Sequence, residues 1–415
     1  MATLTVPAAV KAASLSVLCL HNRYIQPGGE DQVFDSEAQL LSENGVRVEK
    51  VEEQTTYPSG LVRKIGAAVD CVWSRSWHAR FKTLLQSSRP DVVHIHNFFS
   101  VISPSVYYAC KEERIPVVQT LHNYRLACPA ASFYRDGKVC EECLDQGPFH
   151  GVRYGCYRDS KLATATLAAM IEIHRRKNTW TEMVDCYIAL TEFARQKMIQ
   201  GGLPAEKIQV KPNFVLPDPG PRTGNGDYAL FVGRLVDLKG VGTMLAAWSK
   251  LPKSIPLVIA GDGPFRPEME KLISGYNLKN VDYRGRLSRQ QTLATMKSAR
   301  FLMFPSEWYE GFPVTIAESF ACGVPVLCSR LGSMQEIVED SVTGLHFNSG
   351  DAEDMADRVQ WAWSHPQETS TMGFSARAEF EAKYSAERNF GMLTAIYESV
   401  LSRTSNTGVP HAHSS

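Results

Sequence analysis

Residues 300–318 read RFLMFPSEWYEGFPVTIAE, and this stretch predicts a buried strand, a turn and a helix in succession. The apolar run 300–304 favours the strand, and Pro313 suits the start of a helix, where its missing N–H is tolerated. Glu310 lies in the turn, and Glu318 lies more than one helical turn inside the helix. Because open α/β sheets bind ligands where strands lead into helices, the two carboxylates are placed to contact different parts of one elongated ligand. The spacing by itself is equally compatible with a solvated Glu318 on the helix surface.

A second stretch, residues 228–240 (YALFVGRLVDLKG), predicts another strand, a glycine turn and the start of a helix. It places Arg234 and Lys239 at a strand end in the same half of the chain. Arginine offers phosphate oxygens a planar fork of donors, and lysine offers a mobile point charge. Two cations and two carboxylates at neighbouring strand ends suit a sugar joined to a diphosphate. The cations would hold the diphosphate, and the carboxylates would hold hydroxyls.

These motifs resemble those of the retaining family-4 glycosyltransferases. Members of that family have an α/β fold of two Rossmann-like domains facing a cleft, the GT-B fold. Glu310 and Glu318 match the family's Glu-x7-Glu motif, and Arg234 and Lys239 match its Arg-x4-Lys pair. The resemblance covers roughly residues 15–403 and is most specific in the C-terminal half.

The N-terminal half carries two weaker matches. Gly28 and Gly29 match the family's N-terminal glycine loop, and His122 matches the histidine that ends the fourth strand. The resemblance implies that the loop amides face the diphosphate or the acceptor, and that His122 approaches the donor sugar from the opposite domain. Without the resemblance, the glycines would indicate a simple turn, and His122 a strand-end residue bonded to the backbone.

The resemblance also implies how the site works. A nucleoside-diphosphate sugar would bind between the domains, with Glu318 on the ribose and Glu310 on the transferred sugar. Preorganised cations would stabilise the charge that develops on the leaving diphosphate, so no cofactor is expected for catalysis. The residues expected to act in catalysis are His122, Arg234, Lys239 and Glu310. The residues expected to bind substrate are Gly28, Gly29, Gly311, Phe312, Pro313 and Glu318.

The function expected from the resemblance is transfer of a sugar, with retention of configuration, to a glycan or a lipid-linked acceptor in polysaccharide biosynthesis. The alternatives are a nucleotide-sugar epimerase on the same scaffold and a non-catalytic nucleotide-sugar-binding protein. Lys+Arg and Asp+Glu both number 44, so the net charge is zero. No global field then attracts the protein to nucleic acid, which is not expected as a partner.

Alternation of strand and helix patterns divides the chain of 415 residues in two. Residues 15–216 form the predicted N-terminal, acceptor-side domain. Residues 227–384 form the predicted nucleotide-sugar-binding domain, after a linker rich in proline and glycine. A last helix at about 385–403 is expected, by the resemblance, to cross back onto the first domain.

The run 15–20 (LSVLCL) is interpreted as the first strand, because a signal peptide would be followed by a small-residue cleavage site instead of His21. The expected location is therefore the cytoplasm, where cysteines stay mostly reduced. Residues 61–89 hold six basic residues and one acid, with Trp73 and Trp77 on one helical face. This pattern fits peripheral contact with an anionic membrane and equally fits a solvated helix whose tryptophans pack on the sheet.

An insertion at about 124–160 contains four cysteines in the spacing C-x11-C-x2-C-x12-C. Four thiols with one C-x2-C pair suit a tetrahedral structural zinc site. The alternatives are unrelated free thiols or two disulfides. The expected ligands are Cys128, Cys140, Cys143 and Cys156.

Overall fold

The computed structural model describes residues 15–25, 28–56 and 59–406, and its main elements are two six-stranded parallel sheets. The first sheet contains β1 (Ser16–Arg23), β2 (Arg47–Gln54), β3 (Val92–Asn97), β4 (Val117–Leu121), β7 (Cys186–Ala189) and β8 (Ile208–Val210). Their spatial order is β2-β1-β3-β4-β7-β8, and each neighbouring pair is parallel. The prediction of a strand at 15–20 is confirmed, since β1 begins at Ser16.

The second sheet contains β9 (Tyr228–Val232), β10 (Leu257–Ala260), β11 (Val281–Gly285), β12 (Ala299–Phe304), β13 (Val326–Ser329) and β14 (Gly344–Phe347). Their spatial order is β11-β10-β9-β12-β13-β14. The connections after β9 and β12 therefore run in opposite directions along the sheet, which opens a crevice at the carboxyl ends of these two strands. The two stretches that the sequence singled out lead from these same ends.

Helices cover both sheets, since parallel sheets bury both of their faces. The helices of the N-terminal part are α1 (Gly29–Glu43), α2 (Leu61–Val72), α3 (Arg75–Ser88), α4 (Ser105–Glu112), α7 (Lys161–Arg176), α8 (Thr179–Glu182) and α9 (Glu192–Gln200). Those of the C-terminal part are α10 (Val241–Trp248), α11 (Arg266–Gly275), α12 (Arg289–Lys297), α13 (Val314–Ala321), α14 (Ser333–Ile337), α15 (Ala352–Ser364) and α16 (Pro366–Glu379).

The last helix, α17 (Ala386–Asn406), crosses back onto the first sheet. Leu393, Ile396 and Tyr397 of α17 share one buried apolar cluster with Val17 and Phe34 of β1 and α1. The first domain therefore buries one face of its sheet with a helix from the end of the chain. Among the described residues, no helix has both the length and the apolar character that a membrane crossing requires.

The cysteine-rich segment lies between β4 and α7. It contains the hairpin of β5 (Tyr134–Arg135) and β6 (Lys138–Val139), followed by the short helices α5 (Glu142–Gln146) and α6 (His150–Tyr154). Neither strand joins a main sheet. With so little regular structure, the segment depends on side-chain contacts to hold its shape.

The tryptophans of the basic segment pack inward. Trp77 is 6% exposed, and the ring of Trp73 lies against those of Tyr108 and His174 at 4.9 and 6.4 Å. Trp77 is therefore buried and Trp73 half-buried against aromatic neighbours, while membrane contact of residues 61–89 stays a prediction.

Candidate active site

Arg234 and Lys239 follow β9 at the point where the strand order of the second sheet reverses. The Arg234 side chain is exposed and forms no ion pair with another described residue. Lys239 ends a short 3-10 turn, which Gly240 closes with a left-handed φ of +67°. A Cβ on Gly240 would lie 2.0 Å from the carbonyl oxygen of Pro305. The glycine therefore allows the turn to lie directly against the end of β12.

Three donors meet at one carboxylate oxygen of Glu310. Its Oε1 lies 2.6 Å from Lys239 Nζ, 2.5 Å from Ser306 Oγ and 2.7 Å from Trp308 Nε1. Glu310 is 6% exposed, and the Lys239 ammonium lies 5.8 Å from the ring centroid of Trp308. The ion pair joins two side chains that the sequence placed at separate strand ends.

Glu318 is 8% exposed, so it is not a solvated residue on the helix surface. Its Oε1 lies 3.6 Å from Arg289 Nε and 3.4 Å from Gln32 Nε2 of the first domain. Burial raises the pKa of Glu318, although the Arg289 guanidinium opposes this shift. Nε and Nη2 of Arg289 are buried, and neither finds a hydrogen-bond acceptor in the described part of the chain. Sequence reasoning missed Arg289 and Gln32, because neither belongs to a recognisable motif.

The glycine loop faces the second domain. The backbone N–H of Gly28 donates to Asp31 Oδ2 at 2.8 Å, at the start of α1. A Cβ on Gly29 would lie 4.0 Å from Val314, in the first turn of α13. The N-termini of α1 and α13 are thus brought to the same boundary between the domains.

Glu30, which belongs to no recognisable motif, is half-buried beside the glycine loop. Tyr24 Oη and Asn123 Nδ2 both lie 3.4 Å from its Oε2, and Oε1 is buried without a partner among the described residues. Burial, with a contribution from the charge of Asp31, raises the pKa of Glu30 to about 8. A protonated carboxyl at neutral pH therefore lies at the cleft.

His122 follows β4 and lies at the domain boundary. Its carbonyl oxygen is 2.6 Å from where a Cβ on Gly311 would be, so only a glycine permits this approach. Tyr124 Oη donates to the carbonyl oxygen of Glu310 at 3.1 Å. His122 Nε2 lies 3.0 Å from His96 Nδ1. Burial lowers the pKa of His122 well below its ordinary value, so the ring is neutral at pH 7.

Phe312 and Pro313 have structural positions behind the turn. Phe312 belongs to an apolar core of the second domain, and its ring centroid lies 5.5 Å from that of Tyr384. Pro313 immediately precedes α13 as its N-cap residue. Any contact of Phe312 with a ligand would therefore use its backbone, because its side chain is occupied in the core.

The four cysteines of the insertion lie in one neighbourhood. The Cys143 thiol is close enough to Cys128 to lower the pKa of Cys128 to about 6. The sulfur atoms of Cys143 and Cys156 each lie 3.6 Å from the position of a Cβ on Gly151. Cys140 interacts electrostatically with Cys156. Within the described ranges, no three of these sulfur atoms all lie within 4.8 Å of one another.

Two family models match consecutive parts of the chain. The model of Glycosyltransferase Family 4 matches residues 37–218, and that of glycosyl transferases group 1 matches residues 217–379. Among curated relatives, an uncharacterized glycosyltransferase of Methanocaldococcus jannaschii is 29% identical over 175 residues, which are 42% of this chain and 49% of that relative. The chain thus spans about half the length of this relative. The alpha-D-kanosaminyltransferase of Streptomyces kanamyceticus is 29% identical over 294 residues, 69% of this chain and 71% of the relative.

Solved structures show the same architecture. HepE of Anabaena, crystallised in complex with UDP, superimposes with a TM-score of 0.66 at 17% identity, covering 94% of this chain and 100% of that one. Sucrose-phosphate synthase from Thermosynechococcus elongatus superimposes with a TM-score of 0.70 at 17% identity and the same coverage. Three findings agree: each of the two domains has a parallel sheet, two family models match, and the motif residues lie where the strand order of the second sheet reverses. The chain therefore belongs to the family-4 glycosyltransferases of the GT-B fold.

Proposed function

We propose that this protein is a retaining glycosyltransferase, which moves a sugar from a nucleoside-diphosphate sugar to a hydroxyl of a glycan or lipid-linked acceptor in polysaccharide biosynthesis. The observation that carries the proposal is the Lys239–Glu310 ion pair. Lys239 Nζ lies 2.6 Å from Glu310 Oε1, at the point where the strand order of the second sheet reverses. The ammonium of Lys239 would bind the diphosphate of the donor, and the carboxylate of Glu310 would bind its sugar. The exposed Arg234 adds a second cation beside them.

Donor binding would exchange the partners within the site. An arriving diphosphate would take Lys239 as its counter-ion, and Glu310 would then accept hydrogen bonds from hydroxyls of the sugar. Glu318 would bind the ribose hydroxyls. The buried nitrogens of Arg289, which have no acceptor in the described part of the chain, would be satisfied by a nearby ligand oxygen.

The transfer itself breaks the bond between the anomeric carbon and the diphosphate oxygen, which keeps the electron pair. The acceptor oxygen forms the new bond on the same face, and its proton passes to the departing phosphate. Arg234 and Lys239 stabilise the negative charge that grows on the leaving group. Removal of one such preorganised donor costs about 3 kcal/mol of transition-state stabilisation.

The names of two relatives indicate which nucleotides to test first as part of the donor. The solved HepE complexes contain UDP, or UDP-glucose, and a curated relative from Corynebacterium glutamicum is described as GDP-mannose-dependent. Thermal-shift measurements with UDP, GDP, ADP and their sugars should identify the donor, because ligand at 100 times its Kd adds about 2.7 kcal/mol of stability. NMR of the product then reads the anomeric configuration, and an inverted product would contradict retention.

The same assay separates the alternatives. An epimerase converts the nucleotide sugar without an acceptor, whereas a transferase releases the nucleoside diphosphate when an acceptor is added. A non-catalytic binding protein would shift in the thermal assay and release nothing. Arg234→Ala and Lys239→Ala should each lower kcat by about a hundredfold or more while the fold is kept. Normal rates in both variants would rule out the assigned leaving-group site.

We also propose that Cys128, Cys140, Cys143 and Cys156 hold one structural zinc. Support comes from the spacing of the four thiols and from the approach of two of them, Cys143 and Cys156, to Gly151. Four thiolates leave no open coordination position, so the metal would act on the shape of the insertion. Metal binding would have to draw the sulfur atoms closer together than they lie in the structure.

Elemental analysis of protein purified without chelator tests the zinc proposal. The expected result is about one zinc per chain, lost in Cys140→Ser and in Cys143→Ser because zinc requires all four thiolates. Cys71→Ser, a buried cysteine outside the insertion, is the matched control and should keep the metal. Wild-type protein without zinc, or zinc retained in both variants, would refute the site.

Peripheral membrane contact is proposed for α2. Val62, Ile65 and Val69 lie on one side of this helix and are 84%, 55% and 60% exposed, and Arg63 and Lys64 are also exposed. An exposed apolar stripe beside basic residues suits an anionic lipid surface. Co-sedimentation with vesicles that contain anionic lipid should decrease in Ile65→Ser and remain unchanged in Val342→Ser, which changes an exposed valine in the second domain. Equal sedimentation of both variants with wild type would rule out the contact.

A further inference from the structure

A buried polar cluster lies behind His122. It consists of Glu37 on α1, His94 and His96 on β3, and Lys211 just after β8, all of them buried. Ligand atoms of Glu37, His94 and His96 all lie within 4.8 Å of one another, a spacing that suits a metal ion. However, Lys211 Nζ lies 2.9 Å from Glu37 Oε2 and already supplies the positive charge. The cluster is therefore organised around an ion pair.

The two short hydrogen-bond contacts of His94 are with hydroxyl groups outside this ion pair. Its Nδ1 lies 2.7 Å from Tyr397 Oη, and its Nε2 lies 2.8 Å from Thr120 Oγ1. Burial, with the neighbouring His96, lowers the pKa of His94 well below its ordinary value, so the ring is neutral. A neutral imidazole has one N–H, and both nitrogens of His94 already have hydroxyl partners. Nδ1 of His94 also lies 3.3 Å from Glu37 Oε1, but the hydroxyl of Tyr397 is closer to this nitrogen. We assign that hydroxyl as the donor to Nδ1, which leaves the N–H of His94 on Nε2, facing Thr120 and not Glu37.

Glu37 is ionised despite its burial. Burial opposes the charge, but the ammonium of Lys211 and the neighbouring His96 outweigh it and hold the pKa of Glu37 well below its ordinary value. Oε2 is bonded to Lys211, while His96 Nε2 lies 3.5 Å from Oε1. A buried carboxylate oxygen strongly favours an N–H at this position. His96 therefore carries its proton on Nε2.

The tautomer of His96 determines that of His122. With its N–H on Nε2, His96 presents a lone pair at Nδ1, which lies 3.0 Å from His122 Nε2. His122 must then donate through Nε2–H, because two lone pairs cannot form a hydrogen bond. Its Nδ1 is left with a lone pair, and no described residue bonds to that nitrogen.

We propose that Glu37, Lys211 and His96 are positioning residues that hold His122 as the neutral Nε2–H tautomer, so that Nδ1 accepts a hydrogen bond from a hydroxyl of the transferred sugar. This inference rests on the proposed function. An acceptor nitrogen selects a hydroxyl and repels a phosphate oxygen, since both would present lone pairs. The cluster therefore aligns the sugar from the first domain, while the cations of the second domain take the diphosphate.

Two substitutions of His96 separate positioning from mere packing. His96→Asn keeps an acceptor, Oδ1, near the place of Nδ1, whereas His96→Leu fills the space without one. His96→Leu should lower kcat about tenfold with a smaller change in KM, the effect of one lost hydrogen bond in the transition state. His96→Asn should stay within about threefold of wild type. Tyr397→Phe, which removes a hydroxyl from the far side of the cluster, is the control and should leave kcat unchanged.

A measurement on the free protein provides the second test. Nitrogen-15 NMR of the histidine rings, assigned with His122→Asn, should show His122 as the neutral Nε2–H tautomer at pH 7 in wild type and His96→Asn, and a mixture of tautomers in His96→Leu. An Nδ1–H tautomer or an imidazolium in wild type would overturn the proposal. Equal losses of kcat in both His96 variants would do the same, because they would show a purely structural role. If no nucleotide sugar reacted, the proposed function would be rejected. The NMR measurement does not depend on activity and would still decide the tautomer of His122.

Discussion

At Glu310, one carboxylate oxygen takes hydrogen bonds from Lys239, Ser306 and Trp308. Ser306 and Trp308 would still hold the carboxylate when an arriving diphosphate takes Lys239, which lowers the reorganisation that binding requires. Glu318 has weaker contacts, at 3.4 and 3.6 Å, with Gln32 and Arg289. The two glutamates therefore differ in surroundings, and we expect them to differ in function.

Glu310→Gln should mainly lower kcat, because this residue is assigned to the reacting sugar. Glu318→Gln should mainly raise the Kd for the donor, because it is assigned to the ribose. Isothermal titration of donor, together with steady-state rates, separates the two effects. If both variants bound the donor as wild type does, the division of roles would be wrong.

The raised pKa of Glu30 predicts a pH-dependent stability. Burial raises this pKa from 4.5 to about 8, so between these values the folded protein holds a proton that the unfolded chain has lost. The free energy of unfolding should therefore fall as the pH rises from 5 to 8, by at most about 1.4 kcal/mol per pH unit. Glu30→Gln should remove this part of the slope, as measured by urea denaturation at several pH values. A variant with the wild-type pH slope would show that Glu30 ionises normally in the folded state.

Among the elements, the turn after β9 and the strand end at Pro305 depend on a glycine. Gly240 has a φ of +67°, and an added Cβ would meet the carbonyl of Pro305. The sequence predicts the start of a helix at the end of residues 228–240, whereas the structure has a 3-10 turn there and then α10. This irregular turn directs Lys239 across to Glu310.

Gly240→Ala should lower the free energy of unfolding of the second domain by more than about 2 kcal/mol, since it combines a left-handed backbone with a steric clash. Gly275→Ala, at the end of α11 with open space around it, is the matched control and should be neutral or stabilising. Chemical denaturation of both variants measures the difference. Equal stabilities would mean that the turn relaxes freely.

At the scale of the whole molecule, the domains are held together around the proposed site. The carboxylate of Glu336 on α14 accepts the N–H groups of Glu192 and Phe193 at the start of α9, both at 2.7 Å. A carboxylate at a helix N-terminus satisfies free amides and interacts favourably with the helix dipole. Glu336 therefore joins the second domain to the first.

Glu336→Ala should loosen this contact and shift the molecule toward a more open arrangement. We expect a larger radius of gyration in small-angle scattering and a KM for the donor raised about threefold, the equivalent of about 0.7 kcal/mol. Glu353→Ala, which removes an exposed carboxylate paired with Lys250 within the second domain, should change neither quantity. An unchanged radius and KM in Glu336→Ala would show that the contact does not control closure.

Much of the fold followed from local sequence. The strands predicted within residues 228–240 and at 300–304 correspond to β9 and β12, because short apolar runs bounded by glycine and proline are strong local signals. In the first sheet, β8 ends at Val210. Pro212 follows closely and has no N–H to donate to a sheet.

By itself the sequence determined the motif residues at strand ends, since Arg234, Lys239 and Glu310 are identified by their position in strand–turn–helix patterns. Only the tertiary structure decided their neighbours. Lys211 bonds to Glu37 across 174 positions, and Gln32 contacts Glu318 across 286. Periodicity records which face of an element is buried, but it carries no information about which distant side chain lies opposite. Pairings of that kind arise only when two sheets and the helices between them pack together.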